Sequence, residues 1–156
     1  MAFEKPSPDS IEALNEFLRG EITASETYRI ALDKLERGSK ARSQLEAARA
    51  SHIQRVRKLQ TRIRDLGGIP AQSGGAWGGI AKSVEAGASL IGEKAAVTVL
   101  EQGEDHGLKS YREDLTRLTG PSHEFLVNNL LPKQFESHKL LSTLKHTLVG
   151  SQPQRS

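Results

Sequence analysis

RGEITASETYRIALDKL (residues 19–35) aligns without a gap on QGEDHGLKSYREDLTRL (residues 102–118). The two stretches share Gly20/Gly103, Glu21/Glu104, Tyr28/Tyr111, Arg29/Arg112, Leu32/Leu115 and Leu35/Leu118. Read outward, each lies on a run whose apolar residues recur at alternating steps of three and four, which is the period of one helix face. Ile11, Leu14, Leu18, Glu21, Ser25, Tyr28, Leu32 and Leu35 form the stripe of helix A, over residues 10–37. Val97, Leu100, Glu104, Leu108, Tyr111, Leu115 and Leu118 form that of helix C, over residues 92–118. Asp9 and Glu12 have the spacing of a capping box at the start of helix A, after a flexible N-terminal arm, residues 1–9.

Each repeat leads through a short turn into a second helix. Gly38-Ser39 stops helix A and starts helix B, residues 40–66, with Leu45, Ala48, His52, Val56, Leu59, Ile63 and Leu66 along its stripe. Gly120-Pro121 ends helix C and opens helix D, residues 122–149, with Leu131, Phe135, His138, Leu141, Leu144 and Leu148. Short connections make A and B, and likewise C and D, antiparallel neighbours. Between the hairpins stands GGIPAQSGGAWGGIAKSVEAGASLIG (residues 67–92), which holds eight of the fourteen glycines. Its apolar residues, Trp77 and Ile80 among them, suit a crossover packed on the bundle, with a short helix over residues 77–88. Two hairpins and one long connection predict an all-α four-helix bundle over residues 10–149, running up-down-down-up about a pseudo-twofold axis. The polar tail, residues 150–156, is expected to be disordered.

The chain has 156 residues, 36% of them hydrophobic and 26% charged, enough for one core without help from a metal or a disulfide. It has no cysteine, which excludes thiol nucleophiles, zinc ribbons and iron–sulfur clusters, so any metal must use His and carboxylates. No stretch is apolar enough for a secretory signal or a membrane span, and the expected location is the cytoplasm. A net charge of +3 permits anionic partners without requiring them.

The repeat sets charges in the core. Glu21 and Glu104 fall inside their apolar stripes, where an ionised carboxylate must be paired, hydrogen-bonded or bound to a metal. His52 and His138 also lie in theirs. Two carboxylates and two imidazoles converging between four helices form a donor set that suits Fe, Mn or Zn, and equally one that internal pairs would satisfy with no metal. Tyr28 and Tyr111 are candidates to hydrogen-bond these groups, or to be plain core aromatics. His106, Gln134 and Glu136 lie near the same levels with a phase that turns them from the stripe.

LNEFLRGEITASETY (residues 14–28) resembles the first helix of bacterioferritins and rubrerythrins, in which a ligand Glu precedes a Tyr by seven residues. Over residues 10–148, including the Trp-containing crossover and LEQGEDHGLKSYRE (residues 100–113), the chain is similar to a ferritin-like bacterial family, domain of unknown function 2383, linked loosely to stress responses. The ferritin resemblance implies a di-iron carboxylate centre, with one Glu from each of two helices and Glu-x-x-His from each of the other two. Glu21 and Glu104 match the single glutamates, and His52 and His138 match the histidines. The chain departs from the pattern three residues before each His, at Arg49 and Phe135, so both bridging glutamates are missing. Two metal ions would lack the charge that holds them together, and a ferroxidase reaction is not expected. Arg49 either pairs with Glu21 or Glu104 in place of a metal or runs out to the surface.

Three readings follow: a bundle holding at most one metal through Glu21, His52, Glu104 and His138; a metal-free structural or interaction bundle; and a nucleic-acid binder. The last rests on Lys40, Arg42, Arg49, Arg55, Arg57, Lys58, Arg62 and Arg64 in helix B, a bias that a solvated face explains as well. A homodimer is expected, with Phe17, Ile22, Ile30 and Ile53, off the main stripes, either at its face or under the crossover. No nucleophile elbow or phosphate loop nominates a catalytic residue.

Overall fold

The computed structural model describes residues 7–74 and 92–150. Helix α1 (Pro8–Lys34) begins where the Ser7 hydroxyl accepts from the Ser10 amide at 3.1 Å, with Pro8 in the first turn, where its missing N–H costs nothing. The cap is therefore Ser7 rather than Asp9, and the helix starts before the expected boundary. It also ends three residues earlier than expected. Arg42, opening α2 (Arg42–Asp65), donates to the carbonyls of Leu32 and Leu35 at 3.1 and 3.0 Å and so satisfies the last turn of α1.

Helix α3 (Glu93–Asp114) follows Gly92, whose φ of 93° only glycine adopts freely, and closes in a 3₁₀ turn over Leu115–Arg117. The fourth rod is not uniform. It runs from α4 (Gly120–Phe125) through a π-helical turn (Leu126–Leu130) into α5 (Leu131–Gly150). Pro132 accounts for the widened turn: it has no N–H to return to the preceding turn, and its ring crowds the carbonyl four residues back.

The direction of each rod follows from contacts at its ends. Ser39, in the α1–α2 turn, hydrogen-bonds Glu93 at the start of α3. At the other end Arg62 of α2 donates to Ser122 of α4 at 3.1 Å. Thus α2 and α3 run parallel and the order is up-down-down-up, as the hairpin layout implied. Beyond α2 the chain lies along α1: Asn15 donates to the Ile69 carbonyl at 3.1 Å and accepts from the Ala71 amide at 2.7 Å. A Cβ on Gly74 would stand 1.9 Å from the Thr23 hydroxyl oxygen, so only glycine fits there. Residues 75–91, with Trp77 and the helix expected over 77–88, lie outside the described residues, as do 1–6 and 151–156.

Two apolar layers enclose a polar one. Leu45, Val97, Leu100 and Leu141 fill one layer, and Leu14, Leu59, Ile63 and Leu126 the other; all are fully buried. Phe17 packs its ring 4.8 Å from that of Tyr111, and Ile22 and Ile30, partly buried, pack against the two layers. Among the described residues no helix is long and apolar enough to cross a membrane.

Candidate functional site: a buried ion-pair centre

Midway along α2 the His52 ring lies between the two repeated glutamates. Its Nδ1 is 2.6 Å from Glu21 Oε2 and its Nε2 2.7 Å from Glu104 Oε1. An ionised carboxylate only accepts, whereas a neutral imidazole has a single N–H, so two such contacts require the doubly protonated ring. Burial opposes that charge, but the attraction of Glu21 and Glu104 outweighs it and holds His52 above its ordinary value. Burial likewise works against the carboxylates. For Glu104, the His52 cation and hydrogen bonds from His52 and Tyr28 prevail and lower it to about 2. Arg55 and His52 lower Glu21 in the same way.

Arg55, one turn beyond His52, is 1% exposed. Its Nη1 donates to Glu21 Oε1 at 3.2 Å and to Gln134 Oε1 at 2.5 Å, and its Nη2 to the Ser137 hydroxyl at 3.1 Å. Gln134 and Ser137 then donate to Glu104 Oε2 at 2.9 and 2.8 Å. Tyr111 OH donates to Glu21 Oε1 and Tyr28 OH to Glu104 Oε1, both at 2.6 Å. Burial and the adjacent carboxylates push both phenols well above their ordinary range, keeping them neutral donors. Two carboxylates, one imidazolium and one guanidinium sum to zero charge, and the centre is sealed from solvent on four rods.

Three of the four residues proposed as ligands, Glu21, His52 and Glu104, thus converge. His138 does not. It lies one residue past Ser137, is 26% exposed, and bonds through Nε2 to Asp105. Arg49 meets neither glutamate; its Nε donates to the Ser25 carbonyl at 3.2 Å. The guanidinium in the centre is that of Arg55, a residue whose charge had suggested the basic face of helix B. Gln134 turns inward after all, while Glu136 and His106 are exposed. Phe135, expected in the stripe, is 43% exposed beneath the Arg112 guanidinium. The buried line of the fourth rod is Leu130, Gln134, Ser137 and Leu141.

This register brings in one pair spaced i, i+3 from each of α2 and α5: His52 with Arg55, and Gln134 with Ser137. A di-metal bundle carries Glu-x-x-His at such pairs. The basic excess of α2 also shrinks, because Arg55 is buried and Arg42, Arg49 and Arg62 bond within the fold, leaving Arg57, Lys58 and Arg64 exposed, with Lys40 in the turn before the helix.

Fold and site together define an all-α four-helix bundle with a carboxylate–imidazolium–guanidinium layer at its middle. Residues 9–117 match the family model described as domain of unknown function DUF2383, and the chain belongs to that family. Neither the curated proteins nor the solved structures contain a match to it.

Proposed function

We propose that this chain is a ferritin-like bundle that works without a resident metal in its centre, as a structural or interaction module whose buried charges are neutralised by its own side chains. The observation that carries this reading is Arg55. A di-metal centre needs a carboxylate and an imidazole from each of the two paired rods; the groups here are imidazole and guanidinium on α2, and amide and hydroxyl on α5. None is a carboxylate, and Arg55 adds a permanent positive charge where a metal would need negative ones. These residues do not fit a di-metal centre. Because Glu21, His52, Arg55 and Glu104 are at most 3% exposed, the centre also has no open face for a substrate.

A single-metal reading draws support from the convergence of Glu21, His52 and Glu104, but a metal there would have to displace a ring proton and sit beside the guanidinium. Elemental analysis of untagged protein separates the two. The expected result is that no iron, manganese or zinc is retained through Glu21 and Glu104. About one metal per chain, lost in Glu21→Gln/Glu104→Gln and kept in His138→Ala, would overturn the metal-free reading.

A further inference from the structure

We propose that the inner face of the α1–α2 hairpin is a docking surface for the α3–α5 hairpin of a second copy of this chain, and that the buried charges select this partner over a like hairpin. The inference rests on the metal-free reading above and names the partner of that module. The two hairpins are joined only by the connection over residues 67–92, and the centre is divided between them. Across the seam Tyr28 OH donates to Glu104 and Tyr111 OH to Glu21, both at 2.6 Å, while Arg55 donates to Gln134 and Ser137 at 2.5 and 3.1 Å. Neither hairpin completes the centre alone. The seam is also pinned at both ends, where Ser39 bonds Glu93 and Arg62 donates to Ser122 at 3.1 Å.

The repeat does not by itself choose between like and unlike hairpins. It sets a glutamate and a tyrosine at matching positions of α1 and α3, Glu21 and Tyr28 against Glu104 and Tyr111, so each hairpin offers the same pattern to a copy of itself. Charge does choose. His52 and Arg55 both stand on α2, whereas α5 brings the neutral Gln134 and Ser137 to the same layer. With Glu21 the α1–α2 face carries one net positive charge, and with Glu104 the α3–α5 face carries one net negative charge. Two like faces would bury two unbalanced charges of one sign in a sealed layer, which is strongly destabilising. An exchanged pair of chains instead rebuilds two neutral centres from the same contacts. Within one chain the connection holds the hairpins at an effective concentration on the order of millimolar, so the wild-type chain closes on itself until copies are comparably concentrated.

Two full-length variants test this by complementation. Arg55→Gln leaves its centre one negative charge in excess and Glu104→Gln one positive charge, so neither gains by pairing with itself. Exchange between them gives one wild-type centre and one in which Glu21 faces His52 alone, both neutral. We expect an equimolar mixture, unfolded in urea and refolded together with EDTA, to form a 1:1 dimer by native mass spectrometry, with a higher urea midpoint than either variant refolded separately as a monomer. The single chain carrying Arg55→Gln/Glu104→Gln should likewise have a higher midpoint than either parent. A mixture that refolds only to the two monomers, or stays unfolded where the double variant folds, would overturn docking between copies. A double variant whose midpoint does not exceed that of the better parent would overturn selection by charge. Wild type refolded with EDTA is the control. A wild type that needs added metal to refold sinks the metal-free reading and this proposal with it, whereas one that refolds without metal beside variants that do not exchange sinks this proposal alone.

Discussion

Arg55 Nη1 lies 3.2 Å from Glu21 Oε1, and the same guanidinium also reaches Gln134 and Ser137, so one side chain of α2 joins the first rod to the fourth. Truncating it leaves a sealed core with one uncompensated negative charge. Arg55→Ala should therefore cost about 3–5 kcal/mol, seen as a lower urea midpoint with an unchanged slope. Arg55→Lys should recover little, because a compact ammonium cannot span the same acceptors. A loss below about 1 kcal/mol would mean that the pair behaves like a surface one.

Tyr28 and Tyr111 bond crosswise, each to the glutamate of the other's helix and both at 2.6 Å. The repeat thus extends to its hydrogen bonds. Tyr28→Phe and Tyr111→Phe should each cost about 1.5–3 kcal/mol, the range for a bond to a charged acceptor, and the two losses should be similar. Chemical unfolding of both variants checks this; a marked asymmetry would show that Arg55, which bonds Glu21 but not Glu104, compensates on one side only.

The fold was legible because period and punctuation agreed: leucines at helical steps, a Gly-Ser turn, a Gly-Pro turn and one long glycine-rich connection. Glu21, Glu104 and His52 were legible because charges inside an apolar stripe have few ways to be stable. The rest of the centre was hidden by the same rule. On the fourth rod the eye follows apolar residues, and Phe135 drew the stripe one residue away from Gln134 and Ser137. Arg55 sits three residues after His52 and four before Leu59, on the buried face by spacing, yet its charge assigned it to the surface. The phase of His52, rather than residue type, is the signal that would have identified it.

Gly74 lies against Thr23 of α1: a methyl group on Gly74 would stand 1.9 Å from the Thr23 hydroxyl oxygen. Gly74→Ala should destabilise the fold by about 1–3 kcal/mol, as overpacking does. Adding Thr23→Ala removes the oxygen and should restore much of that loss. A double-mutant cycle measured by thermal unfolding reads the coupling; additive losses would mean that the segment shifts independently of Thr23.

The centre also fixes how stability responds to pH, with opposite signs on its two kinds of group. Glu21 and Glu104 are held below their ordinary 4.5, Glu104 at about 2, so the folded state binds these protons more weakly than the unfolded chain. Their contribution is full above pH 4.5 and is lost as the pH falls through their lowered values, about 2 for Glu104. His52 is held above its ordinary 6.5, so its contribution is full below that pH and is lost as the pH rises through its raised value. Stability should therefore be greatest between pH 4.5 and 6.5 and decline on both sides. Urea unfolding across this range, for wild type and for His52→Gln, isolates the alkaline limb as the part of the decline that the variant lacks. Parallel curves above pH 6.5 would mean that His52 is neutral in the folded state, leaving Arg55 alone against two carboxylates and the centre with a net negative charge.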